Sequence, residues 1–260
     1  FCADMLSDKN TSTKKIKKIF FILLLLSLVF SCRKASERKC WKSAGPYAEK
    51  VIQLGDFNRL FLKEHLRYTL IQDSTNQIII KGGANMIDWI EVNGEVGLVT
   101  ILSKNKCNFF RKYAVVDVEI HYTSIINIIF EGTESLTCSD TMKTNYLALT
   151  LRDGAGSMHM LVDAIDIRTD LTHGWGDMTI AGKTHTSRYQ LTGDGFIDAT
   201  DLHVRDSISF ISYSSTIQKI NADNCKLKSE INGIGDIWYY GVPTSIYNME
   251  YGKGRLINKN

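Results

Sequence analysis

The sequence predicts an all-β protein in which coils of about twenty residues stack into a solenoid. Three observations carry that expectation. Leu151, Leu171, Leu191, Ile211 and Ile231 recur at a spacing of twenty. Each is followed by a turn of small residues: Gly154-Ala155-Gly156, Gly174-Trp175-Gly176, Gly193-Asp194-Gly195, Ser212-Tyr213-Ser214 and Gly233-Ile234-Gly235. Beyond the turns comes a second apolar series, Met158, Met178, Ile197, Ile217 and Ile237. Twenty residues of strand reach roughly 66 Å, which suits one coil of two short strands and two corners. The glycines have a mechanical reason, because a sharp corner needs positive φ or close backbone approach, and a Cβ forbids both.

The chain opens with a different kind of segment. Lys14, Lys15, Lys17 and Lys18 precede an uncharged apolar run from Ile19 to Phe30. As a helix that run reaches about 18 Å, short of a bilayer's hydrocarbon core. A short apolar run behind a basic flank reads as a signal peptide rather than a membrane span. It ends Leu28-Val29-Phe30-Ser31-Cys32. This resembles the lipobox of bacterial lipoproteins, where a small residue precedes the cysteine that becomes the mature N-terminus; Phe30 is bulkier than the residue usual at its position. The resemblance implies diacylglycerol on the Cys32 sulfur and a membrane held through acyl chains, each buried CH₂ contributing about 0.8 kcal/mol.

Charge reads differently once that segment is set aside. The chain has 31 basic and 28 acidic residues, of which residues 1–31 hold five and two, leaving 26 and 26. Arg33, Lys34, Arg38, Lys39 and Lys42 against Glu37 make a local +4 just after Cys32. Such a stretch suits either contact with anionic headgroups or a solvated tether. Residues 43–260 then carry 21 basic and 25 acidic residues. A mildly acidic domain has no electrostatic footprint for nucleic acid. Four further cysteines remain, Cys40, Cys107, Cys138 and Cys225, in a compartment that permits disulfides. Cys40 and Cys107 lie in polar, basic stretches, whereas Cys225 shares parity with Leu227 and Ile231. The expected pairing is Cys40–Cys107, with Cys138 and Cys225 as free buried thiols. No Cys-x-x-Cys or Cys/His cluster points to zinc.

The first half of the domain reads as ordinary strands: Leu60–Leu62, Tyr68–Ile71, Gln77–Ile80, Trp89–Val92, Leu98–Ile101, Val115–Tyr122 and Ile125–Phe130. Asn93-Gly94 is the expected turn between Trp89–Val92 and Leu98–Ile101. Gly132-Thr133-Glu134 reads as an early, degraded corner. Pro46 and Pro243, the only two prolines, bracket the domain.

The Gly-x-Gly repeats and the phrases around them also carry a family resemblance. The phrases are Thr192 to Leu202 (TGDGFIDATDL), Asn232 to Pro243 (NGIGDIWYYGVP) and the opening Gly55-Asp56-Phe57-Asn58-Arg59-Leu60. Over roughly residues 51–243 the chain resembles the auto-transporter adhesin, head GIN domain family. The resemblance implies a right-handed parallel β-helix, similar in shape to pectin-lyase folds but lacking their catalytic residues, and a role in adhesion by analogy.

Candidate sites compete with plainer readings. Asp177 and Asp236 follow Gly-x-Gly, and Asp198 lies close after another. This resembles calcium-binding repeats, but those are nonapeptides, and calcium wants six to eight oxygens; corner capping explains the aspartates as well. His159, His173, His185 and His203 are scattered, with Arg152, Arg168, Arg188 and Arg205 between them. Nothing pairs them; His173 and Arg188 could be neighbours across a coil, against the commoner reading of solvated edge residues. Gly-x-Gly recurs here without the following helix that phosphate binding needs. Trp175, Tyr213 and Trp238, at or near corners, are the candidate ligand-binding aromatics, against ordinary rung packing.

The sequence therefore predicts a signal peptide over residues 1–31, a lipidated N-terminus and basic tether over 32–50, and a β-helix domain over 51–257. The expected protein is lipid-anchored in the cell envelope, at the outer membrane. It serves adhesion or binding of a glycan or protein ligand, with no catalytic residue, metal, cofactor or nucleic-acid partner. The alternative is a polysaccharide lyase-like, carbohydrate-active enzyme on the same scaffold. An envelope structural protein without a small ligand is a third reading.

Overall fold

A computed structural model describes residues 43–105 and 114–260. The compact unit runs Ala44–Asn260. Its first strands are β1 (Tyr47–Gln53), β2 (Phe57–Glu64), β3 (Leu66–Gln72) and β4 (Gln77–Gly83). A single helical turn, α1 (Ala84–Ile87), leads to β5 (Ile90–Glu95), β6 (Gly97–Ser103), β7 (Val116–Tyr122), β8 (Asn127–Gly132) and β9 (Ser135–Cys138). The repeat region supplies the long strands β10 (Met142–Gly154), β11 (Ser157–Gly174) and β12 (Asp177–Leu191), then β13 (Phe196–Ala199) and β14 (Leu202–Ser212). It closes with β15 (Gln218–Asn221), β16 (Lys226–Ile231), β17 (Ile237–Tyr240), β18 (Ser245–Glu250) and β19 (Leu256–Asn258). β1 takes in Tyr47 to Lys50, which the sequence reading placed in the tether.

The result is a parallel β-solenoid of about seven turns. Two columns of parallel rungs form its faces. One runs β6, β2, β8, β10, β11, β12, β14, β16, β18; the other runs β7, β3, β9, β11, β12, β13, β15, β17, β19. The strands of the first half are thus rungs too, and their order is not the chain order. β2 pairs β6 on one edge and β8 on the other, so the first coil lies between two later ones. β4 and β5 add antiparallel to β7 and β6, and β1 adds to β4, so the parallel stack ends there in antiparallel strands. The β5–β6 turn is Val96-Gly97, with Gly97 at φ 70°, and Asn93-Gly94 lies within β5 instead. Reaching the longer ladder moves Val92 opposite Ile101.

The inward ladders run further than the repeat region. Ile101, Leu62, Phe130, Leu151, Leu171 and Leu191 face one another in successive rungs. So do Tyr68, Leu136, Met158, Met178 and Ile197. All belong to one continuous buried cluster. The expected fourth members do not. Ser212, not Ile211, lies opposite Leu191 and Ile231, and Gln218, not Ile217, lies between Ile197 and Ile237. Ile217 is 37% exposed and Ile211 faces outward, while Ser212 and Gln218 are fully buried. A bulge between Thr184 and Thr186 on the partner register, where Val204 is followed by Ser207, inserts the extra residue. Parity explains the slip. The observed register buries Ile208, Phe210 and Ile220, and Phe210 stacks on Tyr189 at 4.9 Å. The even spacing of twenty buries Ser207, Ser209 and Lys219 in their place, because a one-residue shift turns every side chain over.

The glycine corners stack as expected, but the corner expected at Ser212-Tyr213-Ser214 lies two residues further on. Gly132-Thr133-Glu134 is the early one: Gly156 N–H donates to Gly132 O at 3.0 Å and Ser157 N–H to Glu134 O at 3.2 Å. A further one, Gly252-Lys253-Gly254, follows the last recognised repeat, with Gly254 N–H donating to Gly233 O at 3.1 Å. Gly174 sits at φ 117°, and a Cβ there would lie 2.5 Å from Gly154 O. The first two repeats run one residue longer between the ladders, Leu151 to Met158 and Leu171 to Met178 against Leu191 to Ile197, and their corners carry Asp153 and His173 in left-handed conformation at φ 54° and 45°. In the fourth repeat the corner is Ser214-Ser215-Thr216, since a Cβ on Gly233 or Gly235 would meet Ser214 O or Thr216 O.

Candidate functional site

Where each coil turns from the second face back to the first, the inward positions hold small residues: Thr144, Ala164, Thr184 and Val204. Thr184 Oγ1 donates to the carbonyls of Ile165 and Thr186 at 3.2 and 3.0 Å, and Thr144 repeats this with Ile125 and Tyr146. Gly182, at φ 111°, lets this bend press against Val162, whose carbonyl oxygen would lie 2.0 Å from a Cβ. Small side chains at a bend leave the surface concave. Two adjoining hollows of about 400 and 600 Å³ result, and they share Asp163, Ala164 and His185. Together they form a trough that crosses successive coils along one side of the solenoid.

The trough's side chains come from one register. Lys143 faces Asp163, Asp163 faces Lys183, and Lys183 faces His203. Asp223 lines the same end. Lys183 Nζ lies 3.2 Å from Asp163, and Arg205 donates from Nε and Nη2 to the two Asp206 carboxylate oxygens, each at 2.9 Å. That guanidinium, with the nearby His185 and Lys226, holds the Asp206 carboxyl below its usual range. Asp223 is engaged by Val242 N–H at 3.0 Å and Asn224 Nδ2 at 2.8 Å. The other end is more apolar, with Ile126, Tyr146 and Ile165, the last two 39% and 48% exposed.

The predicted aromatics do not gather. Trp175 stands at its corner, 75% exposed; Tyr213 follows the first face, 54% exposed; Trp238 lies on β17 in the second face under Lys259, whose Nζ is 4.1 Å from the ring centroid. Among the described residues no ring contact joins the three. His173 lies 4.0 Å from Asp153, while Arg188 pairs with Asp166, so these two expected neighbours stand apart. Asp177 accepts from Ser157 Oγ, Asp236 from Arg255 N–H, and Asp198 from Thr200 N–H and Oγ1. These are local turn and rung contacts. Among the described residues no group of three or more His, Cys, Asp or Glu converges to hold a metal. Cys225 is buried and unpaired, its thiol pushed up to about 11 by that burial; Cys138 is half-buried and unpaired. Cys32, Cys40 and Cys107 lie outside the described residues.

Two features escaped the sequence reading. One is the trough, although Lys143, Asp163, Lys183, His203 and Asp223 keep the same spacing of twenty as the leucines. The other is Asp73, whose Oδ2 lies 2.6 Å from His121 Nδ1. That contact and the Thr75 hydroxyl and amide hold its carboxyl down at about 2.

The architecture defines a parallel β-solenoid whose outward columns carry a shallow, charged trough. The chain belongs to the family described as Putative auto-transporter adhesin, head GIN domain, which it matches over residues 56–243. Solved relatives share the fold. A putative adhesin from Bacteroides fragilis superposes with a TM-score of 0.75 at 18% identity, covering 82% of this chain and 97% of that one. A putative lipid binding protein from Parabacteroides distasonis gives 0.65 at 17%, covering 83% and 98%. A putative adhesin from the same species gives 0.58 at 17%, covering 83% and 98%. No curated protein of known function matches the chain.

Proposed function

We propose that this protein is a lipid-anchored, non-catalytic component of the cell envelope whose β-solenoid binds a glycan in the lateral trough. The family's adhesin description and the adhesin names of its relatives support a surface role. The trough carries the reading: a long, open, polar hollow with Tyr146 and Ile165 at one end offers hydrogen-bonding side chains and flat apolar surface to sugar rings. The Parabacteroides distasonis relative is described as lipid binding. Lysine, arginine, histidine and aspartate lining a hollow favour a polar ligand over an acyl chain. Trp175 and Tyr213, exposed outside the trough, offer single stacking positions. The anchor is Cys32, with the outer membrane as its site.

The experiment is a glycan array probed with the full-length protein, followed by turnover assays on every hit. Binding without cleavage, lost on Tyr146→Ala, is the expected result. Cleavage of a bound glycan establishes the lyase-like alternative, and an array without hits removes the glycan reading.

A further inference from the structure

We propose, resting on the glycan reading above, that the trough takes a glycan without net charge and that its Tyr146 end is a subsite for an N-acetylated sugar.

The charges point to an uncharged ligand. The lining and its flanks set Lys143, Lys183, Arg205 and Lys226 against Asp163, Asp201, Asp206 and Asp223, so neither sign is in excess. Most of these groups are also already engaged. Lys183 holds Asp163, Arg205 turns to Asp206, and Asp223 accepts from the Val242 N–H and from Asn224. An anion arriving at Lys183 meets the Asp163 carboxylate beside it, and a cation arriving at Asp163 meets Lys183. A sugar hydroxyl avoids that conflict, because it both donates and accepts. It donates to a carboxylate oxygen that keeps its lysine, or accepts from an ammonium that keeps its aspartate. Paired charges thus act as preorganised hydrogen-bonding positions.

The other end supplies what an acetamido group needs. Ile126, Tyr146 and Ile165 line the larger hollow beside the small Ala164, and Tyr146 and Ile165 are both exposed. Asn145 lines the same hollow, and among the described residues its exposed side chain has no hydrogen-bond partner. The neighbouring Thr144 hydroxyl is committed to the carbonyls of Ile125 and Tyr146. A free amide offers two donors and an acceptor, and an acetamido group presents the matching C=O and N–H. Its methyl group then has Ile165 and the Tyr146 ring to lie against, apolar surface that a hydroxyl in the same place leaves unused. The hollow's volume of about 600 Å³ falls within the roughly 300–1,000 Å³ of small-ligand sites.

The test is calorimetry of the full-length protein with N-acetylated chitotriose and with cellotriose, which carries hydroxyls in place of the acetamido groups. Trigalacturonate and the deacetylated, cationic chitotriose serve as the charged comparators. The N-acetylated trimer should bind about tenfold more tightly than any of the other three. Raising the salt from about 0.05 M to about 0.5 M should leave that affinity unchanged, since no net charge meets the ligand. Asn145→Leu and Ile165→Ser should each bring it down to that of cellotriose, with an unchanged melting curve. Equal affinity for cellotriose, or a preference that survives both replacements, overturns the acetamido subsite and leaves the glycan reading standing. Tighter binding of either charged trimer overturns the uncharged ligand. Binding of no trimer overturns the subsite, and a blank glycan array beside it overturns the glycan reading too.

Discussion

Gln218 occupies a position where neighbouring rungs bury Ile197 and Ile237. A buried amide is tolerable only when its donors and acceptor are met. Here Oε1 accepts from Ile197 N–H at 2.7 Å, and Nε2 donates to Gly195 O at 3.1 Å and to Thr216 Oγ1 at 2.7 Å. Ser214 and Thr216 complete the network, and Thr216 Oγ1 also reaches Gly195 O at 2.8 Å. The corner without glycines is therefore held by side-chain hydrogen bonds. Gln218→Leu keeps the volume but strands the Ile197 amide inside the core. It should lower stability by about 1–3 kcal/mol in urea denaturation. An unchanged midpoint would falsify this account of the corner.

At the scale of elements, β14 tests which signal governs register. The column spacing places Ile211 inward; the strand's own alternation places Ile208 and Phe210 inward. Two large apolar side chains outweigh one, since each fully buried one contributes about 1.5–3 kcal/mol. The bulge beside Thr184 is the structural consequence. Phe210→Ala should cost about 3–5 kcal/mol, a large-to-small change in a full core. Ile211→Ala, on the outward side, should stay within roughly 0.5 kcal/mol. The reverse order of losses means the even twenty-residue register is correct.

For the whole molecule, the antiparallel strands β1, β4 and β5 close one end of the parallel stack. They move the open edge from β6 and β7 to β1 and β5, each paired on one side only, where an unpaired edge still templates unwanted pairing. The proposed lipid anchor is tested at this scale too. Cys32→Ser should move the protein from the membrane to the soluble fraction and abolish labelling by a fatty-acid probe. Labelling that persists shows that acylation lies elsewhere.

The sequence by itself determined the strand content, the stacked coils and the positions of the glycine corners. Each is a local consequence: period-two burial makes a rung, and glycine makes a corner where backbones approach closely, as Gly174 does against Gly154. The leucine column was legible for the same reason, because Leu151, Leu171 and Leu191 repeat one local environment. Tertiary structure alone decided three things. It placed the β2–β3 coil between later coils, because parallel pairing is satisfied by any matching edge and carries no memory of chain order. It set β14 one residue out of step, because burial of Phe210 against Tyr189 depends on a neighbouring coil. It also made the trough, where side chains twenty residues apart line one hollow only once the coils stack about 4.8 Å apart.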